Sequence, residues 1–125
     1  MRLCAISVDL DEIPNYFAIH GIEPREDGRG ALTAVYDVAV GRLLDFAHEE
    51  GIPLTLFAIG SDLARTDNAE ALRRAHEGGH EIANHTLDHR YDLTRLGRAA
   101  IAEQVQGGID AITHAVGERP VGFRA

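Results

Sequence analysis

The chain has 125 residues, of which 45% are apolar and 26% charged, and this composition is typical of one globular domain spanning residues 1–125. Its net charge of −8 disfavours nucleic-acid binding, and no segment approaches the roughly 20 apolar residues of a membrane-spanning helix. Because no signal-peptide core is visible and the single cysteine, Cys4, excludes an internal disulfide, we expect a cytoplasmic protein.

The first elements are a strand, a long loop and a helix. Residues 3–8 form a short apolar run typical of a buried strand. Residues 11–30 contain scattered glycines and prolines, which predict a loop, and loops of this length are usually functional. Apolar residues then recur at three- and four-residue spacing over 35–47, which predicts an amphipathic helix ended by Gly51 and Pro53.

A second strand is predicted at residues 54–59. A shorter helix follows at about 69–76, with Asp67 or Asn68 as its N-cap and two glycines after it. Residues 80–84 form a third, weaker strand.

The last predicted elements are a long helix and a short strand. Asp92 or Thr94 would cap the helix, Gly117 would end it, and residues 121–123 would form strand four. The order is β-α-β-α-β-α-β, which predicts an α/β fold of parallel strands, either an open sheet or part of a barrel. The inner face of the long helix is expected to consist of Ile101, Val105, Ile109, Ile112 and Val116.

Polar residues follow each predicted strand, where parallel α/β folds bind their ligands. We expect these residues to lie at one edge of the sheet, and they are Asp9, Asp11, Ser61, Asp62, His85, His89 and Arg124.

Two histidines four residues apart, His85 and His89, could converge on one ion if their segment made a helical turn. Two imidazoles and a carboxylate leave open positions on Zn²⁺, as in hydrolytic metal sites. The pair is weak evidence alone, because His76 and His80 share its spacing. We interpret His76 as a surface residue and His80 as structural.

The aspartates that follow strand one strengthen the metal hypothesis. Asp-x-Asp after a strand most often caps a loop, but one carboxylate here could bind a metal while the other acts as a general base. Arg124 beside that base would orient it and favour its ionised form.

Four stretches carry a resemblance to a known family. Residues 5–11 end in paired aspartates, residues 51–60 form a Gly-bounded strand, and residues 122–125 read Gly-Phe-Arg-Ala. Residues 79–89 are the most specific, because they nearly match the pattern G-H-E-I-x-N-H-[ST]-x-x-H. The chain thus resembles the polysaccharide deacetylases of carbohydrate esterase family 4, which share the chitooligosaccharide-deacetylase homology domain.

The resemblance implies the N-terminal half of a distorted (β/α) barrel that binds a divalent metal, usually zinc, and removes N-acetyl groups from aminosugars. By position, Asp11, His85 and His89 would be the metal ligands. Asp9 would be the general base and Arg124 the arginine that braces it. The implied partner is a carbohydrate substrate.

The chain departs from the family pattern at two places. Many members have adjacent aspartates, whereas Leu10 separates them here, as in some peptidoglycan and formamido-sugar members; Glu12 is a second, less favoured ligand candidate. The family also continues beyond the Phe-Arg motif to a catalytic acid histidine. We therefore expect a partial domain that is catalytically silent alone and could self-associate through open barrel edges.

Other functions use the same machinery. A sugar deformylase, an O-acetyl esterase or a ureide amidase would keep the metal site and change the substrate, and a non-catalytic metal- or carbohydrate-binding remnant would not need Asp9. Iron oxygenases use similar ligands, but the alternating β-α pattern does not fit their all-β barrel.

Overall fold

The computed structural model describes residues 4–23 and 32–125. Three parallel strands form its sheet, in the order β1 (Ile6–Asp9), β2 (Leu54–Ala58) and β3 (Glu81–Asn84). All three strands agree with the prediction, although Leu3, the first residue of the predicted strand one, lies outside the described residues. Because the strands are parallel, their carboxyl ends meet at one edge of the sheet.

Strand β1 is more exposed than its apolar sequence suggests. It pairs only with β2 among the described residues, so it is an edge strand, and Ile6 is exposed. The expectation of a buried strand was wrong for β1, because apolar composition does not tell how many neighbours a strand has. Strand β2 lies between the other two, and most of its residues are buried.

Residues 4–23 and 32–125 contain four α-helices and three short helical turns. The second helix is preceded by a π-helical turn at Val35–Ala39, and short 3₁₀ turns lie at Gly60–Ala64 and Leu93–Arg95. The predicted amphipathic helix is therefore present, with its first turn widened. The helices are α1 (Ile13–His20), α2 (Val40–Glu50), α3 (Thr66–Glu77) and α4 (Arg98–Val116).

Helix α1 lies where a loop was predicted, so that prediction was wrong over its first part; residues 24–30 of the predicted loop lie outside the described residues. Pro14 suggested irregular structure, but it sits in the first helical turn, where proline is well tolerated. Glu12 caps the start of the helix, and Gly21 ends it with a left-handed φ of 60°.

The predicted N-caps of α3 and α4 were also wrong, whereas the glycines predicted to end these helices, Gly78 and Gly117, are their C-caps. Helix α3 begins one turn early, and Asn68, inside that turn, donates from Nδ2 to the carbonyl oxygen of Asp62 at 2.8 Å. Helix α4 begins after Gly97, because Asp92 is engaged by Arg90 at 2.9 Å. Both side chains bond to nearby residues that precede them in the chain, so they do not cap the helices.

Helix α4 packs through small and polar residues rather than through the predicted apolar stripe. Of that stripe only Ile112 is buried, and the rest is half-buried. The glycine at position 108 lets the helix axis approach the strand ends closely. The buried face therefore lies one position away from the predicted one, and it consists of Gln104, Gly108, Ile112 and Ala115.

The predicted fourth strand is reduced to a single parallel bridge between Asn84 and Phe123. The amide of Asn84 donates to the carbonyl of Gly122 at 2.9 Å, and the amide of Arg124 donates to the carbonyl of Asn84 at 3.0 Å. This pairing places Arg124 beside the carboxyl end of β3.

One hydrophobic core, which includes Leu10, Leu56, Leu72 and Ile112, packs the sheet against the helices. Within the described ranges, no helix has both the length and the apolar character needed to cross a membrane.

Candidate metal centre

The sequence Asp9-Leu10-Asp11 continues the in-and-out alternation of β1 beyond the end of the strand. The amide of Leu10 donates to the carbonyl of Phe57 at 2.9 Å, and the Leu10 side chain is buried in the core. Side chains two residues apart in an extended segment project to the same side. The buried leucine therefore fixes the segment, so that the carboxylates of Asp9 and Asp11 both project toward the edge of the sheet where the carboxyl ends of the strands meet.

The two histidines lie on a loop rather than on a helical turn. Residues 85–90 have no regular secondary structure, and both Thr86 (φ 67°) and His89 (φ 49°) adopt the left-handed conformation. The expectation that a helical turn would bring the histidines together was wrong. Their convergence instead requires two backbone conformations that non-glycine residues rarely adopt.

Asp11, His85 and His89 offer three metal-binding atoms that all lie within 4.8 Å of one another. Nε2 of His85 lies 3.4 Å from one carboxylate oxygen of Asp11, and Nε2 of His89 lies 3.6 Å from the other. Ligand atoms about 2.1 Å from a tetrahedral zinc ion are about 3.4 Å apart. Both distances to Asp11 match that spacing.

The position of the proton on the His85 ring indicates which kind of group the cluster can bind. Its Nδ1 lies 2.8 Å from the carbonyl oxygen of Arg124, which can only accept, so Nδ1 carries the proton. In the neutral ring, Nε2 therefore presents a lone pair to Oδ1 of Asp11, which has no hydrogen-bond partner among the described residues. Two electron-rich atoms facing each other in a buried site are stabilised by a cation placed between them.

His89 is also suited to binding as a neutral imidazole. Burial lowers its pKa, the neighbouring His85 lowers it further, and Asp11 and Asp9 act in the opposite direction. Its ring packs on that of His85 at 4.6 Å and on the edge of Tyr91 at 4.7 Å. The preference for the neutral form keeps the ring nitrogen available as a ligand.

Arg124 holds the second carboxylate outside the ligand cluster. Its Nη1 donates to Oδ1 of Asp9 at 2.6 Å, and its Nη2 donates to Oγ of Ser7 at 2.8 Å. The guanidinium carbon also lies 4.1 Å from the centre of the Phe57 ring. These three contacts orient Arg124, which in turn fixes the carboxylate of Asp9.

Glu12 is not part of the ligand cluster. Its buried carboxylate accepts from the backbone amides of Ile13, Val35 and Tyr36 at 3.1–3.3 Å. The side chain thus joins the start of α1 to the turn before α2, and among the described residues the carboxylate of the cluster comes from Asp11.

Asp62 lies behind the cluster rather than in it. Burial, followed by the negative charges of Glu12 and Asp11, raises its pKa from 3.8 to about 6. One of its carboxylate oxygens is buried without a partner among the described residues. Ser61, which was expected at the same sheet edge as Asp11 and the two histidines, is exposed.

The other histidine pair does not form a comparable site. Nδ1 of His80 accepts from the amide of Leu54 at 3.1 Å, which joins the start of β3 to β2. His76 lies 3.3 Å from Glu118. The structural role expected for His80 and the peripheral one expected for His76 agree with these contacts.

Sequence reasoning missed three supporting residues. Ser7 could have been found, because it lies two positions before Asp9 on the same face of β1. Tyr91 and Gln104 could not, since their contacts depend on the loop conformation and on the packing of α4.

The profile of the family described as polysaccharide deacetylase matches residues 30–125. The chain belongs to the polysaccharide deacetylase family. The matched segment includes both histidines of the cluster and Arg124, and the aspartates of β1 precede it.

Curated relatives include a chitooligosaccharide deacetylase from Sinorhizobium fredii, which is 38% identical over 79 residues. The alignment covers 63% of this chain and 35% of that protein. The chitooligosaccharide deacetylase of Rhizobium leguminosarum bv. trifolii is 35% identical over 75 residues, with coverages of 60% and 34%. The matched region thus spans about a third of the length of these relatives.

Solved structures support the same fold. A deacetylase with substrate superposes with a TM-score of 0.67 and 28% identity, covering 96% of this chain and 47% of that one. A probable polysaccharide deacetylase from Pseudomonas aeruginosa gives a TM-score of 0.73 at 24% identity, covering 97% and 45%. The predicted fold class is confirmed, because the described residues match part of the (β/α) barrel of these deacetylases.

Proposed function

We propose that this chain carries the metal site of a hydrolase that removes N-acetyl groups from the aminosugars of a glycan. One observation carries the proposal: Nε2 of His85 faces, at 3.4 Å, an Asp11 oxygen that has no hydrogen-bond partner among the described residues. Membership of the polysaccharide deacetylase family, and relatives named for chitooligosaccharide deacetylation, support the substrate class.

The ion that best fits these donors is Zn²⁺. Two imidazole nitrogens and one carboxylate oxygen are typical ligands of catalytic zinc, which keeps open positions for water and substrate. The set is poor for Mg²⁺ and Ca²⁺, because those ions prefer oxygen ligands throughout. When bound, zinc supplies Lewis acidity, which polarises an amide carbonyl and favours attack by water.

Asp9 is the general base in this proposal. It belongs to no metal-binding group among the described residues, and its carboxylate oxygen accepts the Arg124 hydrogen bond at 2.6 Å. Arg124 orients the carboxylate through this bond, and the second oxygen of the same carboxylate remains to accept the proton of the attacking water.

The test is acetate release from an N-acetylated chitin oligosaccharide by the natural full-length protein. We expect release that stops with a chelator and returns with zinc. Asp9→Asn should lower the rate by about 10²–10⁴-fold, which is the usual contribution of a general base. Asp45→Asn is the matched control, because Asp45 is exposed on α2; its rate should equal that of the wild type.

Two results would overturn the proposal. Acetate release unaffected by metal removal would exclude the metal role, and an Asp9→Asn enzyme as active as the wild type would exclude the base. Parallel assays with acetylated xylan, a formamido sugar and allantoin separate the other substrate classes, and hydrolysis of one of these in place of the chitin oligosaccharide would reject the N-acetyl substrate.

A further inference from the structure

The loop that carries both histidines has little regular structure of its own to hold it. Residues 85–90 follow β3, and two of them, Thr86 and His89, have left-handed backbones. Such residues persist only where their surroundings fix them. Within the loop, the amide of His89 donates to Oγ1 of Thr86 at 3.0 Å. One internal hydrogen bond is not enough to hold two left-handed residues, so contacts from other elements must hold the loop.

The first part of the loop is held by the amides of Gly60 and Ser61, which donate to the carbonyls of Thr86 and Leu87 at 2.9 and 2.8 Å. Gln104 of helix α4 holds the residue that follows them through a two-point contact. Its Oε1 accepts from the amide of Asp88 at 3.0 Å, and its Nε2 donates to Oδ2 of the same residue at 2.8 Å. Gln104 is buried, with 7% of its surface exposed. One amide group therefore holds both the backbone and the side chain of the residue directly before His89.

Close packing of α4 makes this contact possible. Gly108 lies one turn after Gln104, and a Cβ atom there would come within 2.1 Å of Oδ1 of Asn84 and 2.8 Å of the carbonyl oxygen of Thr86. Nδ2 of Asn84 also donates to the carbonyl of Val105 at 2.9 Å. The helix backbone is thus held against the end of β3 and the start of the histidine loop.

We propose that Gln104 is a positioning residue of the metal centre, which fixes His89 as a ligand by clamping Asp88. The inference rests on the metal site proposed above, and it extends that site to a residue on α4 that does not touch the ion. Without the clamp, His89 would sample other orientations, and metal binding would have to restore the order at a cost in affinity.

The experiment compares Gln104→Ala with Gln106→Ala in the same chain. Gln106 is a matched control, because it lies on the same helix and donates to Oδ1 of Asp110 at 2.7 Å on the exposed face. Zinc affinity is measured by competition with a chelating dye. We expect Gln104→Ala to weaken zinc binding about 10-fold, as loss of an outer contact to a ligand typically does, and Gln106→Ala to leave it unchanged.

A reciprocal pair of substitutions separates positioning from general packing. Gln104→Glu loses the donor and sets a carboxylate against that of Asp88, so zinc binding should weaken. Adding Asp88→Asn returns a donor to position 88, and its side-chain amide can bond to the new carboxylate. We expect the double variant to regain most of the affinity, whereas a helix merely destabilised by the first change would not recover.

Amide hydrogen exchange in the metal-free chain makes the two proposals distinguishable. Gln104→Ala should accelerate exchange at His89 and Asp88 while leaving the amides of β2 unchanged. Wild-type exchange at both loop positions, or equal zinc affinity in the two alanine variants, would overturn the clamp. A wild-type chain that binds no zinc would overturn the metal site instead, and the exchange rates would still show whether Gln104 orders the loop.

Discussion

Nε2 of His85 lies 3.4 Å from Oδ1 of Asp11. In the neutral ring no hydrogen bond joins these two atoms, because the ring proton is on Nδ1, which donates it to the carbonyl oxygen of Arg124. The relationship links the ends of β1 and β3 to the segment after α4. A hydrogen bond would satisfy both atoms if the ring were protonated. In the neutral ring only a cation does so, and the geometry therefore favours metal binding at neutral pH.

Zinc affinity should fall as the pH is lowered below about 6, because protons compete for the imidazole nitrogens. Burial lowers the pKa of His89, so this ring should stay neutral to a lower pH than an exposed histidine. Calorimetric titration of the chain with zinc at several pH values measures the effect. His76→Ala, outside the cluster, should leave the profile unchanged, and pH-independent affinity would argue against histidine ligands.

Asp62→Asn should stabilise the metal-free chain at pH 7.5. Burial raises the pKa of Asp62 from 3.8 to about 6. Between these two pH values the folded state therefore binds more protons than the unfolded state. Stability is therefore lost as the pH rises through about 6. Since the group is partly solvent-exposed, we expect a gain of about 1–2 kcal/mol in the free energy of unfolding.

Urea denaturation at pH 7.5 and pH 4.5 measures this gain, which should fall to about a third at the lower pH, because the unfolded carboxyl is still largely ionised there. Asp45→Asn, at an exposed position of α2, is the control. An equal gain at both pH values would show that the ionisation of Asp62 is not the cause.

Glu12→Gln should destabilise the fold without removing the metal site. The carboxylate accepts from three backbone amides, whereas a glutamine would turn a donor group toward one of them. We expect a loss of about 1–3 kcal/mol in the free energy of unfolding, with Glu49→Gln on α2 as an exposed control. Loss of zinc binding in a folded Glu12→Gln chain would revive Glu12 as a ligand.

Gly108→Ala should destabilise the chain, although alanine favours helices. The added methyl group would meet Asn84 and the backbone of Thr86, neither of which can move freely, and overpacking typically costs about 1–3 kcal/mol. Gly41→Ala on α2 is the matched control, because no atom of the described residues lies within 4 Å of its Cβ position. That variant should gain about 0.5 kcal/mol, and a similar gain at position 108 would contradict the close packing of α4.

The sequence predicts the parallel order of the strands, because each apolar run is short and bounded by breakers. It also names the residues that the structure brings together at the strand ends, because parallel strands carry their carboxyl ends to one edge. Helix α1 was missed because Pro14 was interpreted as a breaker. The buried face of α4 was missed because close approach selects Gly108 and Gln104 there, whereas periodicity counts only large apolar side chains.

The conformation of the histidine loop lies beyond what spacing can predict. A spacing of four positions between the histidines suggests a helical turn, yet the structure uses two left-handed residues and the contact from Gln104. These features arise from packing between elements that are distant in the chain, so no local pattern contains them.

The most direct test is anomalous diffraction from crystals of the chain grown with zinc. The account predicts one ion per chain, bonded to a carboxylate oxygen of Asp11 and to Nε2 of His85 and His89, with Asp9 left unligated beside Arg124. The account would be contradicted by an ion bonded to His76 and His80, or by an ion bonded to Asp9. It would also be contradicted if no zinc were found between Asp11 and the two histidines.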